Sequence, residues 1–198
     1  MRRLTRAESQ AHTRDRLIAT ATELFLREGY SATSLEQVAE VAGYSKGAVY
    51  SNFRNKDQLC LAVLDRARAE KELAADQTLA GADGVDSLLA AFAAWSNKTL
   101  GDDAWMALET EFLMTARHDP ELRRELAARN ADVLEAIGGL VNQHAERHRI
   151  ELPIPADVAS VALLSLALGV SLLRSVDAGV KLDALPALVG MLAQSARQ

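Results

Sequence analysis

The stretch Ser34–Phe53, SLEQVAEVAGYSKGAVYSNF, decides the fold of this chain. Ser34 followed three residues later by Gln37 has the pattern of a capping box at a helix start. The apolar residues after it recur at i, i+3, i+4 and i+7, which predicts a buried helix face of Leu35, Val38, Ala39 and Ala42. Gly43 is suited to end this helix, and Ser45 to cap a second one. Two helices joined by a three-residue turn with a glycine are typical of a helix-turn-helix motif.

The second helix of the pair carries few large apolar side chains. Only Val49 and Phe53 have the i, i+4 spacing of a core face. The other positions are small, polar or cationic: Lys46, Gly47, Ala48, Tyr50, Ser51 and Asn52. Gly47 costs about 1 kcal/mol relative to alanine inside a helix, so it serves either a close approach to DNA or tight helix–helix packing. This surface suits a helix that enters a DNA groove, with Lys46 on a guanine edge or a phosphate and Ala48 on a thymine methyl.

The segment from about residue 10 to residue 58 resembles the DNA-binding domain of the tetracycline-repressor (TetR) family. The matching residues are Ile18–Tyr30, Ala32–Ser34, Val38-Ala39, Ala42–Gly47, Tyr50, Phe53 and Lys56–Leu59. The resemblance implies that Ser34 and Ser45 contact phosphate as helix caps, and that Lys56 contacts phosphate. It also implies that Tyr44, Lys46 and Ala48 face bases and that Tyr50 meets a phosphate or a base methyl. The chain departs from the common pattern at Tyr44, Ser51 and Asn52, which bears on the operator sequence and not on the fold. We include Gly47, Ser51 and Asn52 in the predicted DNA surface.

Charge is distributed unevenly along the 198 residues. Residues 1–70 hold 11 Lys and Arg against 9 Asp and Glu, a net +2, and residues 71–198 hold 11 against 18, a net −7. The basic excess therefore coincides with the motif, and Arg2, Arg3 and Arg6 form either a DNA-contacting arm or a solvated tail. The single cysteine, Cys60, permits no internal disulfide and is expected to be a small core residue. No signal peptide and no uninterrupted apolar span of about 18 residues are visible, so we expect a cytoplasmic protein without a membrane partner.

Periodicity and caps predict an all-α chain of about nine helices. A helix of about residues 9–28 precedes the motif, and later helices are expected at about 56–74, 85–100, 103–117, 120–149, 156–177 and 183–196. We predict a three-helix DNA-binding domain over residues 1–56, a linking helix over 56–74, and a helical effector-binding and dimerisation domain over 75–198. No cofactor or metal is expected.

The eighth helix has apolar residues in nearly every direction around its axis. It is either a central core helix or a helix with one face in the core and one against a partner. In the resembling family the last two helices form a four-helix interface with their symmetry mates. We therefore predict a homodimer through Val161, Leu164, Leu168, Leu172, Leu185, Leu188 and Leu192, which lets two motifs contact half-sites about 34–36 Å apart.

The resemblance further implies a pocket for a small-molecule effector in the helical second half. An apolar pocket would suit a lipophilic effector. The candidate lining residues are Trp95, Trp105, Met106, Phe112 and Met114, with Glu109, His118 and Asn142 as polar anchors. The alternative is that the aromatic residues are ordinary core and the polar ones ordinary surface.

The sequence predicts a ligand-responsive repressor that binds a palindromic double-stranded operator. Three alternatives to this function have some support in the sequence. Gly43–Gly47 matches G-x-S-x-G, the nucleophile motif of α/β-hydrolases, but that motif needs a strand before the serine. His144 and His148 stand at i, i+4, a spacing that can hold zinc, but a solvated helix face is the preferred interpretation. A helical protein-interaction module without a DNA role would leave the capped, cationic surface of the third helix unexplained.

Overall fold

The computed structural model describes residues 5–100 and 102–195, and within them every regular element is an α-helix. The described helices are α1 Arg6–Glu28, α2 Leu35–Ala42, α3 Lys46–Tyr50, α4 Lys56–Ala80, α5 Val85–Leu100, α6 Asp103–Ala116, α7 Pro120–His148, α8 Ala156–Val176 and α9 Ala184–Ser195. The predicted all-α fold is confirmed. Of the basic residues near the start, Arg6 is the first residue of α1, whereas Arg2 and Arg3 lie outside the described residues.

Most helix ends agree with the sequence to within a few residues, and the two larger differences have local causes. α1 begins three residues earlier than predicted because Thr5 and Glu8 form a reciprocal capping box. α4 continues to Ala80 instead of ending near residue 74. Its extension is stabilised by Ala75 and Leu79, which stand at i, i+4 and are 3% and 6% exposed.

The chain divides into two compact units. The first unit comprises the described part of Met1–Glu70 together with Ala107–His118, and the second comprises Lys71–Met106 and Asp119–Gln198. The first unit therefore includes a part of α6 that the sequence-based division assigned to the second domain.

The first unit has a continuous apolar core around the motif. The face of α2 predicted from periodicity, Leu35, Val38, Ala39 and Ala42, is buried. Apolar faces of α1 and α4 are buried with it: Leu17, Ile18, Ala21, Leu24 and Phe25 of α1, and Leu59, Val63, Leu64 and Ala67 of α4. Cys60 is also fully buried, as predicted. Burial, assisted by the nearby Asp57 carboxylate, raises the pKa of the Cys60 thiol well above its usual range.

In the second unit, α7 packs on α8, and α9 packs on α5 and α8. α8 buries Ala159, Ser160, Val170 and Ser171 but leaves an apolar face open to solvent. Of the two predictions for this helix, burial on all sides within the chain is therefore wrong. By length and composition α8 is the one described helix apolar enough to cross a membrane. Of the residues in its apolar window, 22% are buried within the chain.

Candidate nucleic-acid interface

The turn between α2 and α3 is held by backbone and cap hydrogen bonds. Gly43 adopts the left-handed conformation, with φ 75° and ψ 29°. Its N–H donates to the Glu40 carbonyl at 3.1 Å, and the Tyr44 N–H donates to the Ala39 carbonyl at 2.9 Å. These two bonds form a Schellman ending that fixes where the chain leaves α2. Ser45 then caps α3, its Oγ accepting from the Ala48 N–H at 3.2 Å.

The start of α2 differs in one respect from the sequence prediction. Ser34 Oγ accepts from the Gln37 N–H at 3.1 Å, as expected of a cap. The Gln37 side chain does not complete a capping box, because its Nε2 donates to Glu28 Oε2 at 2.6 Å. Gln37 thus connects α2 to the end of α1. The Ser34 and Ser45 oxygens accept from backbone N–H groups, so each hydroxyl proton can still be donated to a phosphate.

α3 presents two different faces. Val49 and Phe53 are 0% and 1% exposed, which confirms them as its core anchors. The outward side is solvent-accessible at Lys46, Gly47, Tyr50 and Ser51, with Tyr44, Ala48 and Asn52 half-buried. A Cβ atom at Gly47 would meet only Ser45 Oγ, at 3.8 Å. Gly47 therefore does not serve helix–helix packing, which leaves close approach by an external partner as its explanation.

One carboxylate of α2 contacts two side chains of α3. Glu36 Oε1 accepts from the Tyr50 hydroxyl at 3.3 Å and lies 3.7 Å from Lys46 Nζ. A hydrogen bond from its own backbone N–H, together with Lys46 and Tyr50, lowers the pKa of the Glu36 carboxyl. The negative charge of Glu36 in turn raises the pKa of the Tyr50 phenol. The two most exposed polar side chains of α3 are therefore linked through α2.

Ser51 and Asn52 use their donors within the helix. The Ser51 hydroxyl donates to the Ala48 carbonyl at 2.9 Å, and Asn52 Nδ2 donates to the same carbonyl at 2.8 Å. These bonds satisfy a carbonyl that the short helix leaves open at its end. This arrangement does not favour Ser51 as a donor to phosphate, because a hydroxyl has only one proton.

Lys56 occupies a different environment from the one the sequence suggested. Its Nζ donates to the carbonyls of Tyr30, Ser31 and Thr33 at 2.9, 3.3 and 3.0 Å. The same ammonium lies 4.2 Å from the centroid of the Tyr30 ring. All three protons of the ammonium are engaged with the loop between α1 and α2, residues 29–34. The structure thus gives Lys56 a structural role in this loop and does not favour the predicted phosphate contact.

Glu111 of α6 binds the same loop and was not found from the sequence. Its carboxylate accepts from the Tyr30 and Ser31 N–H groups at 2.7 and 2.8 Å. Burial works to raise the pKa of this carboxyl, but the hydrogen bonds from Ser31 and Tyr30 and the charge of Lys56 outweigh it and lower the pKa. A Cβ atom at Gly29 would lie 3.1 Å from Glu111 Oε2, so the glycine leaves room for the carboxylate. Ser31 and Glu111 are 80 positions apart in the chain, so no local sequence signal indicates this contact.

Two further contacts complete the surroundings of the motif. The Tyr30 hydroxyl donates to Asp57, and its ring packs edge-on against Phe112 with centroids 5.0 Å apart. Arg14 of α1 donates to the Asn52 carbonyl at 3.2 Å and lies 4.3 Å above the Phe53 ring. Arg14 therefore fixes the end of α3 from outside the motif, a role that no sequence pattern indicated.

Comparison with known proteins agrees with this geometry. The model of the family described as bacterial regulatory proteins, tetR family, matches residues 17–63, which include α2, the turn and α3. The chain carries the DNA-binding segment of the tetR family over these residues. It is accordingly a helix-turn-helix transcriptional regulator that binds DNA.

Individual relatives differ in how much of the regulator they cover. An HTH-type transcriptional repressor of Mycobacterium tuberculosis is 26% identical over 148 residues, 75% of this chain and 74% of that protein. The regulator TtgR of Pseudomonas putida is 42% identical over 65 residues, 33% of this chain and 30% of TtgR. A crystal structure of a putative transcriptional regulator from Rhodococcus sp. RHA1 superposes with a TM-score of 0.73 at 22% identity, covering 92% of this chain and 95% of that one.

The two enzyme-like motifs of the regulator have structural explanations. Ser45 follows a helix and a left-handed glycine, and no strand is present among the described residues, so the strand-to-serine geometry of a hydrolase is missing. The prediction that His144 and His148 form a solvated face is wrong, because His144 is 9% exposed and His148 is half-buried. Their rings stack 6.1 Å apart at 6°. α7 turns this face towards the interior of its unit, where Gly138 and Ala145 are also buried.

The predicted effector-pocket residues are not all placed as a pocket requires. Phe112 is fully buried against Tyr30 in the first unit, and Met114 is 62% exposed. His118 and Asn142 are exposed, whereas Trp95, Trp105, Met106 and Glu109 are half-buried. The Trp95 Nε1 atom is buried without a hydrogen-bond partner among the described residues. Lys71 Nζ lies 5.6 Å from the Trp105 ring centroid.

The predicted dimer residues of the regulator form a mixed set. Val161, Leu168 and Leu172 are 51%, 40% and 48% exposed, and Leu164, Leu188 and Leu192 are half-buried. Leu185 is only 3% exposed, so it belongs to the core of its own unit and does not fit the predicted interface. The exposed apolar face of α8 extends beyond the predicted residues to Val158, Leu173 and Val176.

Proposed function

We propose that this regulator is a ligand-responsive repressor that binds a palindromic operator as a homodimer. The observation that carries the proposal is the outward side of α3, which is capped by Ser45, anchored by Val49 and Phe53, and bare of bulky side chains at Gly47. A helix with this surface can lie in the major groove with its backbone close to the DNA.

The residues of this surface divide into two groups by what they contact. Tyr44, Lys46 and Ala48 face base edges, where a sequence can be distinguished. Ser34 and Ser45 donate to phosphates at the two helix starts, where the helix N-termini also favour a negative charge. Tyr50 meets a phosphate or a base methyl. Lys56, Glu111 and Arg14 hold the motif in place without touching DNA.

The exposed apolar face of α8 supports the homodimer. Six large apolar side chains of one helix are 40% or more exposed: Val158, Val161, Leu168, Leu172, Leu173 and Val176. A contiguous apolar face of this kind marks an interaction site. We assign it to a second copy of the chain and not to a lipid bilayer, since an operator with two half-sites needs two α3 helices. The regulator then works in the cytoplasm, where the DNA is.

Trp95 supports an effector site in the second unit. A tryptophan offers a large apolar surface with a single donor, and the buried Nε1 of Trp95 has that donor available among the described residues. A small, mainly apolar molecule with one acceptor would suit this side chain. To release the operator it must favour one conformation of the dimer by about 1–3 kcal/mol.

Selection of bound duplexes from a random pool tests the proposal, with the full chain as bait. We expect an inverted repeat with half-site centres about one helical turn, or a multiple of it, apart. Selection of no sequence at all would contradict DNA recognition, and a single unrepeated site would contradict the dimer. In parallel, Leu172→Glu should produce monomers in sedimentation equilibrium, whereas Leu113→Glu, at a leucine of α6 that is 43% exposed, should leave the mass of the assembly unchanged.

A further inference from the structure

Glu36 is an acidic side chain that contacts two residues on the outward side of α3. It stands in the first turn of α2, and its Oε1 contacts both the Tyr50 hydroxyl, at 3.3 Å, and Lys46 Nζ, at 3.7 Å. Lys46 and Tyr50 are i, i+4 neighbours, so one carboxylate connects two residues of the same helix face. The side chains of Lys46 and Glu36 are 69% and 43% exposed, so the pair lies at the surface that the DNA approaches.

Stability does not explain this pair. An exposed ion pair contributes little to folding, because both groups are well solvated and their side chains lose entropy on pairing. An acidic residue in a first turn does favour the helix, but the first-turn position requires no contact with α3. At a DNA surface, moreover, a carboxylate opposes the phosphates and lowers the affinity for any duplex.

We propose that Glu36 is a specificity-determining residue that holds Lys46 and Tyr50 in one arrangement and opposes the pairing of Lys46 with the nearest phosphate. This inference rests on the proposed DNA-reading role of α3. An unrestrained lysine beside DNA binds whichever phosphate is nearest, and that contact carries no sequence information. A lysine held beside a carboxylate binds most favourably at a DNA site that also has a base acceptor within its reach. Glu36 therefore weakens binding to wrong sequences more than binding to the operator.

The chain offers two variants that separate this role from simpler ones. Glu36→Asp keeps the charge and its place in the first turn of α2 but shortens the reach to Lys46 and Tyr50 by one methylene. Glu40→Gln removes an equal charge one turn further along the exposed side of α2, at a carboxylate that is not the contact of Lys46 or Tyr50. Together with Glu36→Gln, these variants distinguish the effect of the Glu36 contact from the effects of local charge and of net charge.

The experiment measures affinity as a function of salt for the full chain and the three variants. Two duplexes of equal length are used: the sequence that the wild-type protein selects from a random pool, and a scrambled version of it. For Glu36→Gln we expect tighter binding to the scrambled duplex, with its salt slope larger in magnitude by about 1, because Lys46 gains a phosphate contact. The ratio of the two affinities should fall about threefold, which is the order of an exposed ion pair.

The outcomes separate this inference from the function on which it rests. Glu36→Asp should lose specificity as Glu36→Gln does, and Glu40→Gln should keep the wild-type ratio and slope. If Glu36→Gln and Glu40→Gln changed the affinity ratio equally, Glu36 would act only through the net charge of the protein, which would overturn the proposal. A Glu36→Asp variant with the wild-type affinity ratio would also overturn it. If the wild type selects no sequence, the DNA-reading role fails and this inference fails with it. A selected palindrome with an unchanged ratio in Glu36→Gln overturns this inference alone.

Discussion

The α2–α3 segment and the α1–α2 loop follow one another in the chain, yet they are stabilised by different means. In the α2–α3 segment the helix starts and the turn are capped by hydrogen bonds that span at most five residues, at Ser34, Gly43 and Ser45. The α1–α2 loop has few contacts of its own and is bound by Lys56 and by Glu111, about 25 and 80 residues away. Local hydrogen bonds thus set the helix starts and the turn of the proposed DNA surface, and distant charges fix the loop before it.

The sharpest test of this difference changes one lysine in each region. Lys56→Met should lower the free energy of unfolding by roughly 2–3 kcal/mol, because three carbonyls lose a charged donor. Lys46→Met makes the same chemical change on exposed α3 and should leave the melting temperature nearly unchanged while altering sequence preference. Chemical denaturation and DNA titration of both variants measure this. A Lys56→Met protein of normal stability with a salt slope smaller by about 1 would instead support a phosphate contact.

Glycine-to-alanine changes test whether the bare side of α3 faces DNA. Gly47→Ala should stabilise the fold by up to about 1 kcal/mol, because alanine favours helix and the added Cβ meets nothing closer than Ser45 Oγ at 3.8 Å. The same variant should bind the operator at least about tenfold more weakly, since a methyl group then stands between backbone and DNA (about 1.4 kcal/mol).

Gly139→Ala is the matched control for this prediction. Gly139 is an exposed residue of α7 with open space where a Cβ would stand. It should give a similar stabilisation without any change in operator affinity. Unchanged operator binding by Gly47→Ala would show that α3 does not approach the DNA closely at this point.

Glu111→Gln tests the distant half of the comparison through pH. We expect it to cost about 1 kcal/mol at neutral pH, because a carboxylate that accepts two backbone N–H groups becomes a neutral amide. The pKa of Glu111 is lowered in the folded state, so its stabilisation is complete above the unfolded pKa and is lost as pH falls through the folded pKa. The difference between wild type and Glu111→Gln in urea unfolding should therefore shrink on acidification. Glu23→Gln, on the exposed side of α1, is the control and should show no such convergence.

The smallest expected effect is that of Ser51→Ala. Its hydroxyl donates to the Ala48 carbonyl, which Asn52 also contacts, so stability should change by less than about 0.5 kcal/mol. The salt slope of operator binding should stay at the wild-type value. A slope smaller by about 1 would instead show that Ser51 contacts a phosphate.

The features that could be predicted from the sequence are those that depend on local contacts, and those that could not depend on distant ones. Helix ends set by neighbouring residues, such as Gly43 after α2 and Pro120 at the start of α7, were predicted to within a residue. The buried face of α2 was also predicted correctly, because a helix that buries one face has apolar residues at helical spacing. The length of α4 was underestimated because alanine, aspartate and glycine around residue 80 resemble a loop, whereas Ala75 and Leu79 continue the buried face.

The roles of single side chains were harder to predict, because they depend on residues far along the chain. Lys56 looks like a phosphate contact until the carbonyls of the α1–α2 loop are placed around it. Leu185 and Leu172 have the same apolar character, and only the packing of α9 shows that Leu185 is buried in its own unit. His144 lies in a polar stretch of sequence, so its burial had no sequence signal.

The position of Cys60 gives this regulator a built-in reporter. The chain has no other cysteine, and this thiol is completely covered and held in its protonated form. A maleimide or disulfide reagent reacts with a thiolate that it can reach, so labelling must await a transient opening of the surrounding helices. The labelling rate of the unmodified protein then measures how often its first unit opens transiently, with and without a duplex bound.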